Sequence, residues 1–185
     1  MEGLLVVVYL FIFLFLFCFL VYLVIIIDSI FGGLDFSTSP LATAKIVSII
    51  KAYNQGKGIL FDLGSCRGTF ASRLKKQLPN LKVYGIDSSK FRTFCSQIKS
   101  IFSKHHPKFL TADLFQTDIS QADIVYIYLQ RDLMPRLQSK LQKELKSKAL
   151  VVTNTVTFPS WQPVETYITH PAKPEFEKIF VYQNS

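Results

Sequence analysis

Four residues stand out by type and spacing: Asp62, Gly64, Gly68 and Asp87. Asp62 lies in a short apolar run, Ile59–Leu63, and Gly64, Ser65, Cys66, Arg67 and Gly68 follow it as a loop. Asp87 closes the next apolar run, 19 residues after Gly68. A glycine in such a loop lets backbone approach a ligand closely, because no Cβ stands in the way. An acid at the end of the second strand can accept both hydroxyl protons of a ribose. Either aspartate alone is also a common strand-end turn residue. Placed together, they favour a ribose-bearing ligand.

The surrounding elements are those that would hold such a loop. Ser39-Pro40 reads as a helix start, with a cap residue before a proline in the first turn. Ile46, Ile49, Ile50 and Tyr53 recur at helical spacing until Asn54-Gln55-Gly56 ends the element. Phe70, Leu74 and Leu78 form a helical stripe that stops at Pro79-Asn80. Lys82–Ile86 is the second strand. Ser88 is placed to cap a helix carrying Phe91, Phe94, Cys95, Ile98 and Phe102. Phe109–Ala112 makes a third strand ending at Asp113, Ile124–Leu129 a fourth and Leu150–Thr153 a fifth. Between the last two, Asp132 opens a helix with Met134, Leu137, Leu141 and Leu145 inward. This alternation predicts a parallel sheet covered on both faces. Val164–Ile168 and Phe176–Tyr182 have no helix between them and read as a hairpin at one edge. Tyr126 and Tyr128 alternate with Val125 and Ile127 in the fourth strand, which suggests one in the core and one reaching the site.

The 185 residues allow one ordinary domain and little more. Gly3–Ile27 is 25 residues without a charge, and every Lys and Arg lies at Lys45 or later. At ~1.5 Å per residue this stretch reaches roughly 37 Å, enough to span a bilayer core of about 30 Å with some tilt. A cleaved signal peptide fits less well, since its apolar region runs ~7–15 residues behind a basic start, and this chain opens Met-Glu-Gly. Only Cys66 and Cys95 lie beyond the span, so there is neither a disulfide framework nor zinc-site spacing. His105-His106 before Pro107 reads as a solvated loop, and no metal is expected. The basic face from Arg136 to Lys148 is either a solvated helix face or a contact with an anionic leaflet. The net charge of +8 could suggest nucleic acid, but a bilayer anchor argues against that partner.

Dinucleotide enzymes share a glycine loop followed by an acid, but their loop reads G-x-G-x-x-G and holds a pyrophosphate on a helix N-terminus. Here the loop reads Asp62-x-Gly64-x-Cys66-x-Gly68. That resembles motif I of class I methyltransferases, in which the acid helps hold the cationic amino-acid end of S-adenosylmethionine. Asp113-Leu114 looks like the position that reads the adenine amino group in that fold. A closer resemblance covers most of the chain. Asp62-Leu63-Gly64-Ser65, Tyr126-Ile127-Tyr128-Leu129, Met134-Pro135-x-Leu137 and Asn154-Thr155-x-x-x-Pro159-x-Trp161-x-Pro163 carry it. They are similar to the membrane-anchored protein-lysine methyltransferases that modify the c-subunit of ATP synthase and the adenine nucleotide carrier, with their prokaryotic relatives.

The resemblance implies an α/β, Rossmann-like, seven-stranded methyltransferase sheet with a C-terminal antiparallel hairpin. Residues 3–27 would be a transmembrane anchor, 28–38 a linker with Gly32-Gly33 as its joint, and 39–185 the methyltransferase domain. S-adenosyl-L-methionine would be held by Asp62, Gly64, Ser65, Cys66, Gly68, Asp87, Asp113 and Leu114. Tyr126 and Tyr128 would serve catalysis, and Asn154 and Trp161 the substrate cleft; Trp161 can also be a packing plug. The expected acceptor is a lysine of a membrane protein, reached from the cytoplasmic or matrix-equivalent face. Two alternatives stay open: methylation of a lipid or quinone-like molecule, and a domain that binds without catalysis. The second is motivated by Cys66-Arg67-Gly68, where that family generally has Gly-Asp-Gly.

Overall fold

The computed structural model describes residues 2–31 and 37–184. The chain divides into two units near residue 35. The first is α1, Glu2–Phe31, a helix whose side chains from Glu2 to Ile27 are exposed almost throughout. Glu2–Ile27 is, among the described residues, the one helical stretch long and apolar enough to cross a membrane. The helix continues four residues past Ile27, through Asp28. The Gly32-Gly33 joint lies outside the described residues.

The second unit is a seven-stranded sheet with helices on both faces. In chain order its elements are α2 (Pro40–Asn54), β1 (Ile59–Leu63), α3 (Thr69–Gln77), β2 (Lys82–Asp87), α4 (Lys90–Ile101), β3 (Lys108–Thr111), β4 (Ile124–Ile127), α5 (Met134–Glu144), β5 (Leu150–Asn154), β6 (Glu165–Ile168) and β7 (Lys178–Gln183). The spatial order is β3-β2-β1-β4-β5-β7-β6. The first five strands are parallel; β7 inserts antiparallel between β5 and β6. The expected C-terminal hairpin is therefore present, with β6 at the edge. The strand order reverses between β1 and β4, where open α/β sheets bind ligands beyond their carboxyl ends.

Two apolar layers hold the sheet. On one face, Ile46 and Ile50 of α2 and Leu74 of α3 pack on Leu60, Val152 and Ile179. On the other, Met134, Leu137 and Leu141 of α5 pack on Leu63, Val125 and Val151. Ser39 caps α2 as expected, its hydroxyl accepting the Ala42 N–H at 3.1 Å. Gln55, left-handed at φ 58°, terminates it.

Several boundaries differ from the sequence reading, most by one or two residues. Ser89, not Ser88, caps α4, its hydroxyl accepting the Arg92 N–H. A short 3-10 turn over Arg131–Leu133 precedes α5. The third strand begins and ends one residue early, and the fourth ends at Ile127, so Tyr128 and Leu129 leave the ladder. The largest difference is the facing of α4. An apolar stripe at helical spacing ordinarily meets a core, but here Arg92, Thr93, Ser96 and Ser100 are buried while Phe94, Ile98, Ile101 and Phe102 are exposed. The cause is on the inner side. Ser96 Oγ donates to Cys66 O at 3.2 Å and Ser100 Oγ to Pro107 O at 2.9 Å, so the inward face must be polar to satisfy loop backbone.

Candidate cofactor and substrate site

Because β1 to β5 are parallel, their carboxyl ends share one edge of the sheet, and the loop 64–68 lies there at the switch point. The loop is tightly folded on itself and on β2. The N–H groups of Gly64 and Ser65 both donate to Ile86 O, at 2.8 and 2.9 Å, and that of Gly68 donates to Ser65 O at 2.8 Å. The Cys66 N–H donates to Asp87 Oδ2 at 2.8 Å. Gly68 has φ 69° and a Cβ there would sit 2.4 Å from Phe109, so conformation and space both require glycine. Cys66, at φ 50°, adopts the same left-handed region with a side chain.

Asp62 and Asp87 are both buried at this edge, 3% and 8% exposed. Asp87 also accepts the Ser89 N–H on Oδ1 at 2.9 Å. Each of its oxygens keeps a further lone pair. Asp62 Oδ2 is buried with no hydrogen-bond partner. Burial foremost, and then the Asp87 charge, raises the Asp62 carboxyl to a pKa of about 8. This is an acid prepared for a cation. The four spent loop amides offer nothing to a phosphate, unlike the free N–H row of a dinucleotide loop. The acceptor set fits ligand hydroxyls at Asp87 and a ligand cation at Asp62.

Asp113 lies beyond β3 on the same edge. It is exposed, and its Oδ1 accepts the Phe115 N–H at 2.8 Å, a turn bond that leaves the other oxygen to solvent. Leu114 is half-buried beside it. The Ala112 N–H donates to Asp87 O at 3.0 Å and ties the ends of β2 and β3 together.

The two tyrosines lie on one face of the sheet. Tyr126 is fully buried, its ring 3.9 Å from that of Phe70. Its hydroxyl pairs with Thr38 Oγ1 at 2.6 Å and accepts from Asn154 Nδ2 at 3.3 Å. Burial raises its pKa above the ordinary tyrosine value, against the lowering effect of those two bonds. Tyr128 is half-buried at the strand end. Asn154 is fully buried and also donates to Glu177 Oε1 at 2.6 Å. Trp161 belongs to the opposite layer, with ring centroids 5.3 Å from both Phe158 and Tyr182. The structure thus gathers the loop, Asp62 and Asp87 with Asp113 along one edge. It places Tyr126 and Asn154 in a buried network beside them, and Trp161 in a packing cluster on the other face.

Three residues missed by the sequence reading join this site. Thr38 pairs with Tyr126, and its carbonyl accepts from Arg73 Nη1 at 3.0 Å. Arg92, 2% exposed, donates to Cys66 Sγ at 3.8 Å. Glu177 is buried, accepts the Ser39 N–H at 3.3 Å, and has an unpartnered Oε2 with His170 Nδ1 3.9 Å away. No periodicity marks Glu177, since its burial comes from distant partners.

Known proteins resemble both the sequence and the fold. The ATP synthase C-subunit lysine N-methyltransferase of Xenopus laevis is 27% identical over 126 residues, 67% of this chain and 55% of that protein. A protein-lysine N-methyltransferase of Saccharolobus islandicus is 27% identical over 109 residues, 58% of this chain and 68% of that protein. The chain spans about half the length of the vertebrate relatives it matches. Among solved structures, the RNA methyltransferase from Salinibacter ruber, in complex with S-adenosyl-L-homocysteine, superposes with a TM-score of 0.68 at 20% identity, covering 80% of this chain and 93% of that one. Magnesium protoporphyrin IX methyltransferase from Synechocystis PCC 6803 gives 0.62 at 16% identity, over 85% and 89%. These likenesses are of fold. The family described as the ANTKMT methyltransferase domain matches residues 62–165, more than half of the sequence. With the seven-stranded order and the motif loop in place, the chain belongs to that family of class I methyltransferases.

Proposed function

We propose that this protein is a membrane-anchored, S-adenosylmethionine-dependent methyltransferase that modifies a lysine amine of a membrane protein. The observation that carries the reading is the buried, unpartnered Oδ2 of Asp62 next to Asp87, at a loop whose amides are already spent. The lysine acceptor is supported by the family match and by the relatives of similar sequence.

S-adenosylmethionine, when bound, supplies a methyl group on a sulfonium, a good leaving group. Asp62 would hold the ammonium of its amino-acid end and Asp87 its ribose hydroxyls, with Gly64, Ser65, Cys66 and Gly68 giving close backbone contact. Asp113 and Leu114 would flank the adenine. The remaining work is to deliver a neutral amine in line, which is positioning rather than acid–base chemistry. A lysine loses its proton more readily when desolvated among apolar and aromatic groups. Tyr128 at the end of β4 is the aromatic group proposed for that role, with Asn154 on the substrate side. Tyr126, whose hydroxyl is engaged by Thr38 and Asn154, would act by holding Asn154 in place.

The test is calorimetric titration of the full chain with S-adenosylmethionine and S-adenosylhomocysteine. Both should bind in the micromolar range, and absence of binding at millimolar ligand would overturn the reading.

A further inference from the structure

The outward face of α4 has no occupant within the domain. Phe94, Ile98, Ile101 and Phe102 are 57%, 40%, 70% and 86% exposed, and Leu110 on the adjoining edge strand is 46% exposed. Contiguous exposed apolar side chains of this size mark an interaction surface. Their rim is basic: Lys90, Lys99, Lys104 and Lys108 are all exposed. Beside it Lys75, Lys82, His106 and Lys108 line a pocket of about 270 Å³. No Asp or Glu occurs between Asp87 and Asp113. The other basic stretch differs, because Lys140 of α5 is paired with Glu144 at 2.6 Å and Lys146, just beyond that helix, with Asp123 at 2.6 Å.

We infer that this face of α4, with the β3 edge, docks in the interface of an anionic bilayer. The inference rests on the reading of Glu2–Ile27 as a membrane span. A helix with an apolar face rimmed by lysines lies in the interface plane, its apolar side buried about 5–10 Å into the headgroup boundary. The lysine stems can lie along the apolar surface while their ammonium groups reach anionic headgroups. Charge complementarity selects this occupant. A second copy of the chain would bring one acid-free basic rim against another, which like-charge repulsion disfavours. The sequence also allows the contact: eight residues separate Phe31, where α1 ends, from Pro40, and extended at about 3.5 Å each they reach roughly 28 Å. The face lets the domain settle on the surface to which the span tethers it, which fixes its orientation.

The test uses the full chain in vesicles of brominated phosphatidylcholine with phosphatidylglycerol. Phe102→Trp and, separately, Ile98→Trp each add one indole to the native Trp161 at a surface position that no core depends on. The added emission should be lost in brominated vesicles and recovered in the same lipids without bromine. Unquenched emission from both variants, with the chain still held by the vesicles after alkaline extraction, would overturn the docking and leave the span intact. Release of the chain by alkali would overturn the span and this inference with it. Unquenched emission together with cross-linking between copies through Phe102→Cys would assign the face to a second copy instead.

Discussion

The backbone N–H of Cys66 donates to Asp87 Oδ2 at 2.8 Å, so the side-chained residue of the motif loop is held by the acid that closes the second strand. The Ser89 N–H on Oδ1 makes the same carboxylate the tie between the loop and the start of α4. Cys66 stands in this arrangement at φ 50°. For a residue with a Cβ that conformation costs roughly 1–2 kcal/mol, which glycine avoids.

Cys66→Gly should therefore raise stability, by about 0.5–1 kcal/mol once the extra freedom of glycine in the unfolded chain is counted. Affinity for S-adenosylmethionine should hold or improve, because the backbone bond to Asp87 needs no side chain. Thermal unfolding and calorimetry on one preparation check both. A less stable protein would mean that the contact between Arg92 and Cys66 Sγ outweighs the strain.

Asp87→Ala removes the acceptors of the Cys66 N–H in the loop and the Ser89 N–H at the start of α4, as well as those meant for the ribose. Cofactor affinity should fall by roughly 1–3 kcal/mol, the range for bonds to a charged group. Circular dichroism confirms the fold and calorimetry reads the loss. Unchanged affinity in a folded variant would remove the ribose assignment.

Asp62 gives a pH signature. Its carboxyl titrates at about 8 in the folded chain against 3.8 as a free side chain, so between those values the folded state keeps a proton that the unfolded state has lost. The contribution of Asp62 to stability should then fall as pH rises from 4 to 8. Asp62→Asn should flatten that slope in denaturant unfolding. A ligand cation at Oδ2 favours the carboxylate, so cofactor binding near about pH 6.5 should release close to one proton in the native protein and none in the variant. Calorimetry in buffers of different ionisation enthalpy counts that proton. No difference between the two would separate Asp62 from the cofactor.

Tyr126→Phe distinguishes positioning from catalysis. Loss of the hydroxyl strands Thr38 Oγ1 and one bond of Asn154 inside the core, which should cost about 1–3 kcal/mol of stability. Methyl transfer should persist with a raised KM. Abolition of kcat at unchanged stability would make the tyrosine a direct participant.

These residues also mark what the sequence can convey. The path from β1 through the loop to Asp87 is legible because strand and helix periods, glycine and a terminal acid are local signals. The hairpin is legible because its two runs have no helix between them. The facing of α4 is not. Spacing says which side chains share a face, and here the polar face turns inward to meet Cys66 and Pro107 backbone. Glu177 is silent for a related reason, since Asn154 lies 23 residues away and Ser39 138. Tyr126 and Tyr128 read as partners of unequal depth, and the early end of β4 at Ile127 is what exposes the second.

The proposed substrate rests on the proposed tether. If Glu2–Ile27 spans a bilayer, the eight residues between Phe31 and Pro40, extended at about 3.5 Å each, would hold the start of the domain within roughly 30 Å of the end of that helix. Tethering raises the effective concentration of membrane-borne acceptors over soluble ones without any new contact. Deleting residues 1–27 should leave cofactor affinity unchanged, because every residue proposed to hold it lies at Asp62 or beyond. The same deletion should sharply reduce methyl-lysine in membrane proteins. Methyl-lysine profiling of membrane and soluble fractions, with full-length and truncated protein expressed to equal levels, reads both. Equal methylation by the two forms would show that the helix does not choose the substrate, and label confined to lipid extracts would transfer the activity from lysine to a lipid-soluble acceptor.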